Sequence, residues 1–264
     1  MQGFHRTIIL AGQTGSDGHT LARACLEDDF HHFRLEMTID DSEIKSIQGT
    51  AIRFPYVTCP GAEDGLQSLV GTPLNAFSAS VHRAADARLN CTHLLDLSGM
   101  CGAHILMGIT RRRYDIFVSD RDNNQVSGKY RAQILRDHQL VLEWEAEYET
   151  IIAPEKFQGI NLRSGFAKWA FNNLDSEQRE AALALRRCSM ISMGRAKNLD
   201  KQLHAEDWGF CYSQQKERSK KALRVSGTIL DFNQNPGRLC RDDFDWIDFQ
   251  PSSLSPITLL QENS

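Results

Sequence analysis

The feature that most constrains this chain is a succession of alternating apolar and polar residues near its start. "HTLARACLED" (residues 19–28) and "HHFRLEMTID" (31–40) both alternate, and Leu35, Met37 and Ile39 fall on one face of the second run. Period-two alternation is the pattern of a strand with one buried face, not of a helix. "DDSE" (Asp40–Glu43) is a turn, and "IKSIQGTAIRFP" (44–55) is a further strand that must stop near Pro55. With "RTIIL" (6–10) before them, these runs predict an antiparallel meander.

The pattern changes at "VTCPGAEDGLQSLVG" (57–71). Thr58 or Cys59 can cap a helix, Pro60 suits its first turn, Leu66, Leu69 and Val70 form a stripe, and Gly71 ends it. "SVHRAADARLN" (80–90) is a weaker helical stretch, and Asn90 can cap a helix carrying Leu94, Leu95, Leu97 and Ile105. Beyond it, "RRYDIFVSD", "KYRAQILRD" and "LVLEWEAEYETIIAP" read as strands. "SGFAKWAFNN", opening at Ser164, and "SEQREAALALRRCSMISMG", capped by Asp175 or Ser176, read as amphipathic helices. After about Phe232 the chain is rich in Asp, Pro and Ser and is expected to loop or fray. The expected class is α+β: an N-terminal antiparallel sheet with two Cys-headed helices over 1–110, and a β-rich then helical second half over 111–264, its tail partly irregular.

Composition narrows the function. Among 264 residues, hydrophobic content of 41%, charged content of 24% and a net charge of −4 are ordinary for a globular chain and carry no basic stripe for nucleic acid. No apolar run approaches the roughly 20 residues a membrane-spanning helix needs, and "MQGFHRTIIL" lacks an export signal. Seven cysteines, an odd number with no disulfide framework, fit a reducing cytoplasm. The glycine-rich "GQTGSDGHT" (12–20) lacks the Lys-Ser/Thr of a phosphate-binding loop, and no nucleotide-cofactor fingerprint is present.

Chemistry concentrates in four residues. Cys59 and Cys91 each sit at an expected helix start, where unpaired N–H groups favour a thiolate. His93 follows Cys91 by two positions, and His31 shares parity with Phe33, Leu35, Met37 and Ile39, so it faces inward. His31, Cys59, Cys91 and His93 would form a tetrahedral site for zinc or iron, although no paired C-x-x-C is present. The alternative is a metal-free acid–base site of His31 and His93 with a carboxylate: Asp28, Asp29 or Asp96. Tyr212 in "GFCYS" is a candidate proton donor, and Arg186 and Arg187 are candidate partners of an acidic substrate, against the plainer reading of a solvated helix end.

"LEDDFHHFRLEMTID", "TCPGAEDGLQSLVGTPL", "CTHLLDLSGM" and "RRYDIFV" together resemble a bacterial family catalogued as a domain of unknown function, number 2889. The resemblance implies that His31, Cys59, Pro60, Cys91, Thr92 and His93 belong to the family's pattern, and it carries a loose association with bacterial aromatic or acyl catabolism. The order of strand, "TCPGAEDGLQSL" and "NCTHLLDL" is also similar to the iron–sulphur scaffold fold. The scaffold's first cysteine and nearby aspartate fall near Asp29 and His31 here, neither of which is a cysteine, while the shared geometry would again bring residues 31, 59 and 91 together. The expectation is a cytoplasmic enzyme, a lyase or hydrolase with a small-molecule substrate, with His31, His93 and Asp96 catalytic. The alternative is a non-catalytic metal or iron–sulphur carrier, and a third possibility is a structural metal.

Overall fold

The computed structural model describes residues 1–249. Eight strands form one antiparallel sheet in the order β4-β3-β2-β1-β5-β6-β7-β8. The first meander is β1 (Gly3–Thr14), β2 (Thr20–Asp28), β3 (His32–Asp40) and β4 (Glu43–Arg53). The second is β5 (Arg111–Ser119), β6 (Lys129–Arg136), β7 (Gln139–Glu147) and β8 (Thr150–Ala153). The meanders join where β1 pairs with β5, Arg6 opposite Ile116, so the sheet is continuous across residue 110.

Among the described residues six α-helical segments accompany the sheet: α1 (Val81–Ala84), α2 (Thr92–Leu106), α3 (Phe166–Asn173), α4 (Ser176–Ile191), α5 (Lys216–Ser219) and α6 (Phe244–Ile247). Each meander carries one long helix on the same face: α2 packs on β1–β3, and α4 on β5–β7. Strand alternation follows from this arrangement. Phe33, Leu35, Met37 and Ile39 enter the core under α2, while Arg34 of β3 bonds Asp243 on the opposite face. At Gly99 of α2 a Cβ would come within 1.9 Å of the Ser78 carbonyl oxygen, so only glycine lets the 78–80 turn lie against the helix.

Several expected elements differ. The stretch 58–71 is two 3-10 turns, Cys59–Ala62 and Asp64–Leu69, rather than an α-helix. Pro60 removes a donor, and Gly61 and Gly65 are poor helix formers. The cap of α2 is Cys91 rather than Asn90; Asn90 is buried and donates to the Asp86 carbonyl at 2.9 Å. Gly165, with positive φ, precedes α3, which opens at Phe166. The cap of α4 is Asp175, accepting from the Gln178 N–H at 2.8 Å, as expected.

The chain after Phe232 does not fray as far as residue 249. Cys240 and Ile247 bury against Ile9, Ala11 and Cys25 and form a second small core on the sheet's other face. The rest of the expected irregular tail, residues 250–264, lies outside the described residues. All seven cysteines are free. No described helix is long and apolar enough to cross a membrane.

Candidate functional site

The site begins with an arginine inside the sheet. Arg6 of β1 and Asp28 of β2 are register partners, so their side chains share the helix-covered face. Both are buried, Arg6 2% exposed and Asp28 fully enclosed. Arg6 Nε donates to Asp28 Oδ2 at 2.9 Å, and a second guanidinium nitrogen donates to the same oxygen.

Asp28 is the last residue of β2, and its other oxygen closes the hairpin. Asp28 Oδ1 accepts the backbone N–H of Phe30 at 2.7 Å and of His31 at 2.8 Å, and it lies 3.1 Å from His31 Nδ1. Burial alone would raise the Asp28 carboxyl, but Arg6 and His31 outweigh it and hold it well below the usual carboxylate range. His31 therefore sits in the turn before β3, not in the strand, yet it faces inward as its parity requires.

His93 reaches the same point from the first turn of α2. Its Nε2 lies 3.1 Å from Arg6 Nη2, and its ring centroid is 4.2 Å from that of His31. Phe33 stacks on His93 at 5.5 Å. An arginine nitrogen can only donate, so Nε2 of His93 accepts and its proton sits on Nδ1. That nitrogen points at Cys91 Sγ, 3.7 Å away. Burial pushes the pKa of His93 well down, with His31 and Arg6 adding to the effect, and burial also lowers that of His31 against the opposite pull of Asp28. His31 uses Nδ1 on Asp28, and among the described residues its Nε2 has no hydrogen-bond partner.

The four expected metal ligands line one cavity of about 860 Å³, but they do not converge on one point. His31 and His93 group with Asp28, one ligand atom from each lying within 4.8 Å of the others. Cys91 touches His93, whereas Cys59 bonds Ser213 at 3.4 Å. Neither cysteine is the expected thiolate. Burial pushes Cys59 up to about 12 and raises Cys91 as well, because enclosure outweighs the N–H groups at the turn. A cation among Asp28, His31 and His93 would compete with Arg6, which already engages Asp28 Oδ2 and His93 Nε2.

Asp96 stands apart from this group. It lies 2.8 Å from His82 Nε2 and accepts two bonds from Arg187 at 2.8 and 3.1 Å, in a second cavity of about 740 Å³. Tyr212, Arg186 and Arg187 line the first cavity, brought there by the second half of the chain. Arg6 is the residue that sequence reasoning missed. Its only signal is a cation in the run "GFHRTIIL", whose neighbours Thr7, Ile8 and Ile9 are all buried.

Residues 10–106 match the model of a family described as Protein of unknown function (DUF2889). The matched segment holds Asp28, His31, Cys59, Cys91 and His93; Arg6 and the helix carrying Arg186 fall outside it. No curated protein matches the chain.

Proposed function

We propose that the protein is an enzyme, a hydrolase or lyase of small organic molecules, in which His31 is the general base and Asp28 its orienting carboxylate. The observation that carries this reading is the 3.1 Å Asp28–His31 contact in a large cavity, with the second His31 nitrogen left free. Asp28 fixes the tautomer that leaves Nε2 a bare lone pair, and its negative charge stabilises the imidazolium formed when Nε2 takes a proton. His93 is held neutral beside it and keeps the two rings from sharing charge. Cys91 is not a thiolate nucleophile in this scheme, since His93 presents it with an N–H rather than a lone pair. The seven free cysteines fit a cytoplasmic setting.

Two assays test the reading: hydrolysis of 4-nitrophenyl butyrate, and deuterium uptake from D2O at the carbon beside a carbonyl in small keto acids, followed by NMR. His31→Gln should lower the active reaction by about 10²–10⁴-fold. An activity that survives the substitution intact refutes the assignment.

A second reading rests on the two histidines and one carboxylate within 4.8 Å, a ligand set suited to a first-row divalent metal. It requires purified protein to hold about one zinc or iron per chain, bound by His31, His93 and Asp28. Elemental analysis before and after Asp28→Asn decides it.

A further inference from the structure

We propose that Arg186 is an anion subsite of the large cavity, and that the substrate is an organic carboxylate with an apolar body. This rests on the reading that the cavity is a substrate site, and it adds the class of molecule that the site takes.

The argument starts from α4. Leu185, Cys188 and Ser189 are its buried side toward the sheet, which leaves Arg186 and Arg187 half-buried along its flank. Both line the large cavity and the second one, so they form part of the wall between the two. Arg187 is satisfied by Asp96. Arg186 is not paired in this way: its Nε donates to the Leu162 carbonyl at 2.5 Å and its Nη2 to the Arg163 carbonyl at 3.2 Å. Among the described residues it has no carboxylate partner, and its Nη1 has no acceptor.

The other cations of the cavity are accounted for. Arg163 pairs with Glu149, and the charge of Arg224 is matched by Asp200 at 3.0 Å although its Nη2 is buried without a hydrogen-bond partner; Glu206 and Asp207 line the cavity at exposed positions. Lys197 is exposed, 4.7 Å from the centre of the Trp208 ring, where water screens it. Arg186 is thus the half-buried cation of the cavity with no carboxylate in direct contact; Asp96, already held by Arg187, acts on it only from a distance. Burial, with Arg187 beside it, pushes its pKa down to about 10, so a bound anion would relieve the cost of its charge. Apolar and aromatic side chains, including Phe33, Met190 and Tyr212, line the same cavity. A guanidinium held by two carbonyls, in a cavity that also has apolar lining, is suited to a carboxylate on a hydrophobic body.

Benzoate and benzamide test this, since they share a shape and differ in charge. Calorimetric titration of the full chain should show benzoate binding roughly ten- to hundredfold more tightly than benzamide. Arg186→Met should bring benzoate down to the affinity of benzamide and leave benzamide unchanged. Arg186→Gln should do the same while keeping a donor for the Leu162 carbonyl, so it separates lost charge from a loosened loop. Lys197→Met should leave the preference in place. Absence of benzoate binding, equal affinity for both probes in the wild type, or a preference that survives both Arg186 variants overturns the proposal.

His31→Gln separates this proposal from the general-base reading. It should keep the benzoate preference even where it abolishes turnover; a preference lost in that variant would place the anion on the imidazole and overturn the subsite. Turnover that persists in His31→Gln, with the Arg186-dependent preference intact, refutes the general base alone.

Discussion

Arg6→Met, Asp28→Asn and their combination form a double-mutant cycle on the pair that holds the site together. Arg6 and Asp28 are 2% and 0% exposed, so neither survivor of a single substitution can reach bulk water. Breaking a buried pair by removing one partner costs about 3–5 kcal/mol, because the remaining charge is left uncompensated. Arg6→Met belongs at the lower end of that range. Its survivor, Asp28, keeps two backbone N–H donors at 2.7 and 2.8 Å and the His31 contact at 3.1 Å. Asp28→Asn belongs at the upper end, because Arg6 then keeps only His93, at 3.1 Å, among its charge-accepting contacts. For a chain of this size these losses lower the melting temperature by about 6–20 °C. The double variant places a neutral amide beside a thioether and should recover much of the loss, with a coupling energy of about 2 kcal/mol or more. Urea denaturation of the four proteins measures this through the midpoints, at constant m-value. Additive losses, with no recovery in the double variant, would mean that Arg6 and Asp28 act independently and would refute the electrostatic account of the site.

Two further predictions follow from the same structure. Stability should fall as pH drops below 6.5. The unfolded chain takes up protons on His31 and His93 there while the folded chain, whose two values are depressed by burial, does not. Asp29, raised to about 7 by burial, acts in the opposite sense above the unfolded value of 3.8. His5, also lowered by burial, adds to the two, so the depressed histidines outnumber the raised Asp29 and the net effect is a loss as pH falls; urea midpoints that stay level or rise from pH 7 to 5.5 would contradict it. Asp175→Ala removes the 2.8 Å cap at the start of α4 and should cost about 1 kcal/mol, read in the same unfolding assay, with no effect on benzoate binding.

The strands were legible because alternation is a local property that the buried face of a sheet demands. Phe33, Leu35, Met37 and Ile39 entered the core as their spacing required, and parity placed His31 on the correct side although it lies in the turn. What alternation does not specify is pairing between distant strands. The β1–β5 join brings together residues more than 100 positions apart, and no periodicity in either strand announces it. The 58–71 stretch carried helix signals at both ends, but Pro60, Gly61 and Gly65 weakened the hydrogen-bonded middle, and tight 3-10 turns took its place.

The site was half legible for a related reason. Residue type and spacing marked His31, Cys91 and His93, which do lie side by side. The same signals misjudged the thiols, because a turn's N–H groups are visible in sequence and the enclosure that outweighs them is not. Arg6 was hidden for the converse reason. One arginine in a short strand is unremarkable until its register partner proves to be Asp28, and until both lie on strands covered by α2. That pairing changes what the histidines can do. Without Arg6, Asp28, His31 and His93 would be an open cluster with one negative charge, ready for a cation. With Arg6, the charge is already balanced, His93 is locked in one tautomer, and a lone pair is left free on His31, which is the basis of the proposed base role. The same logic extends to Arg186: a half-buried cation without a carboxylate within ion-pair distance is the group on which we propose the charge of an incoming molecule settles.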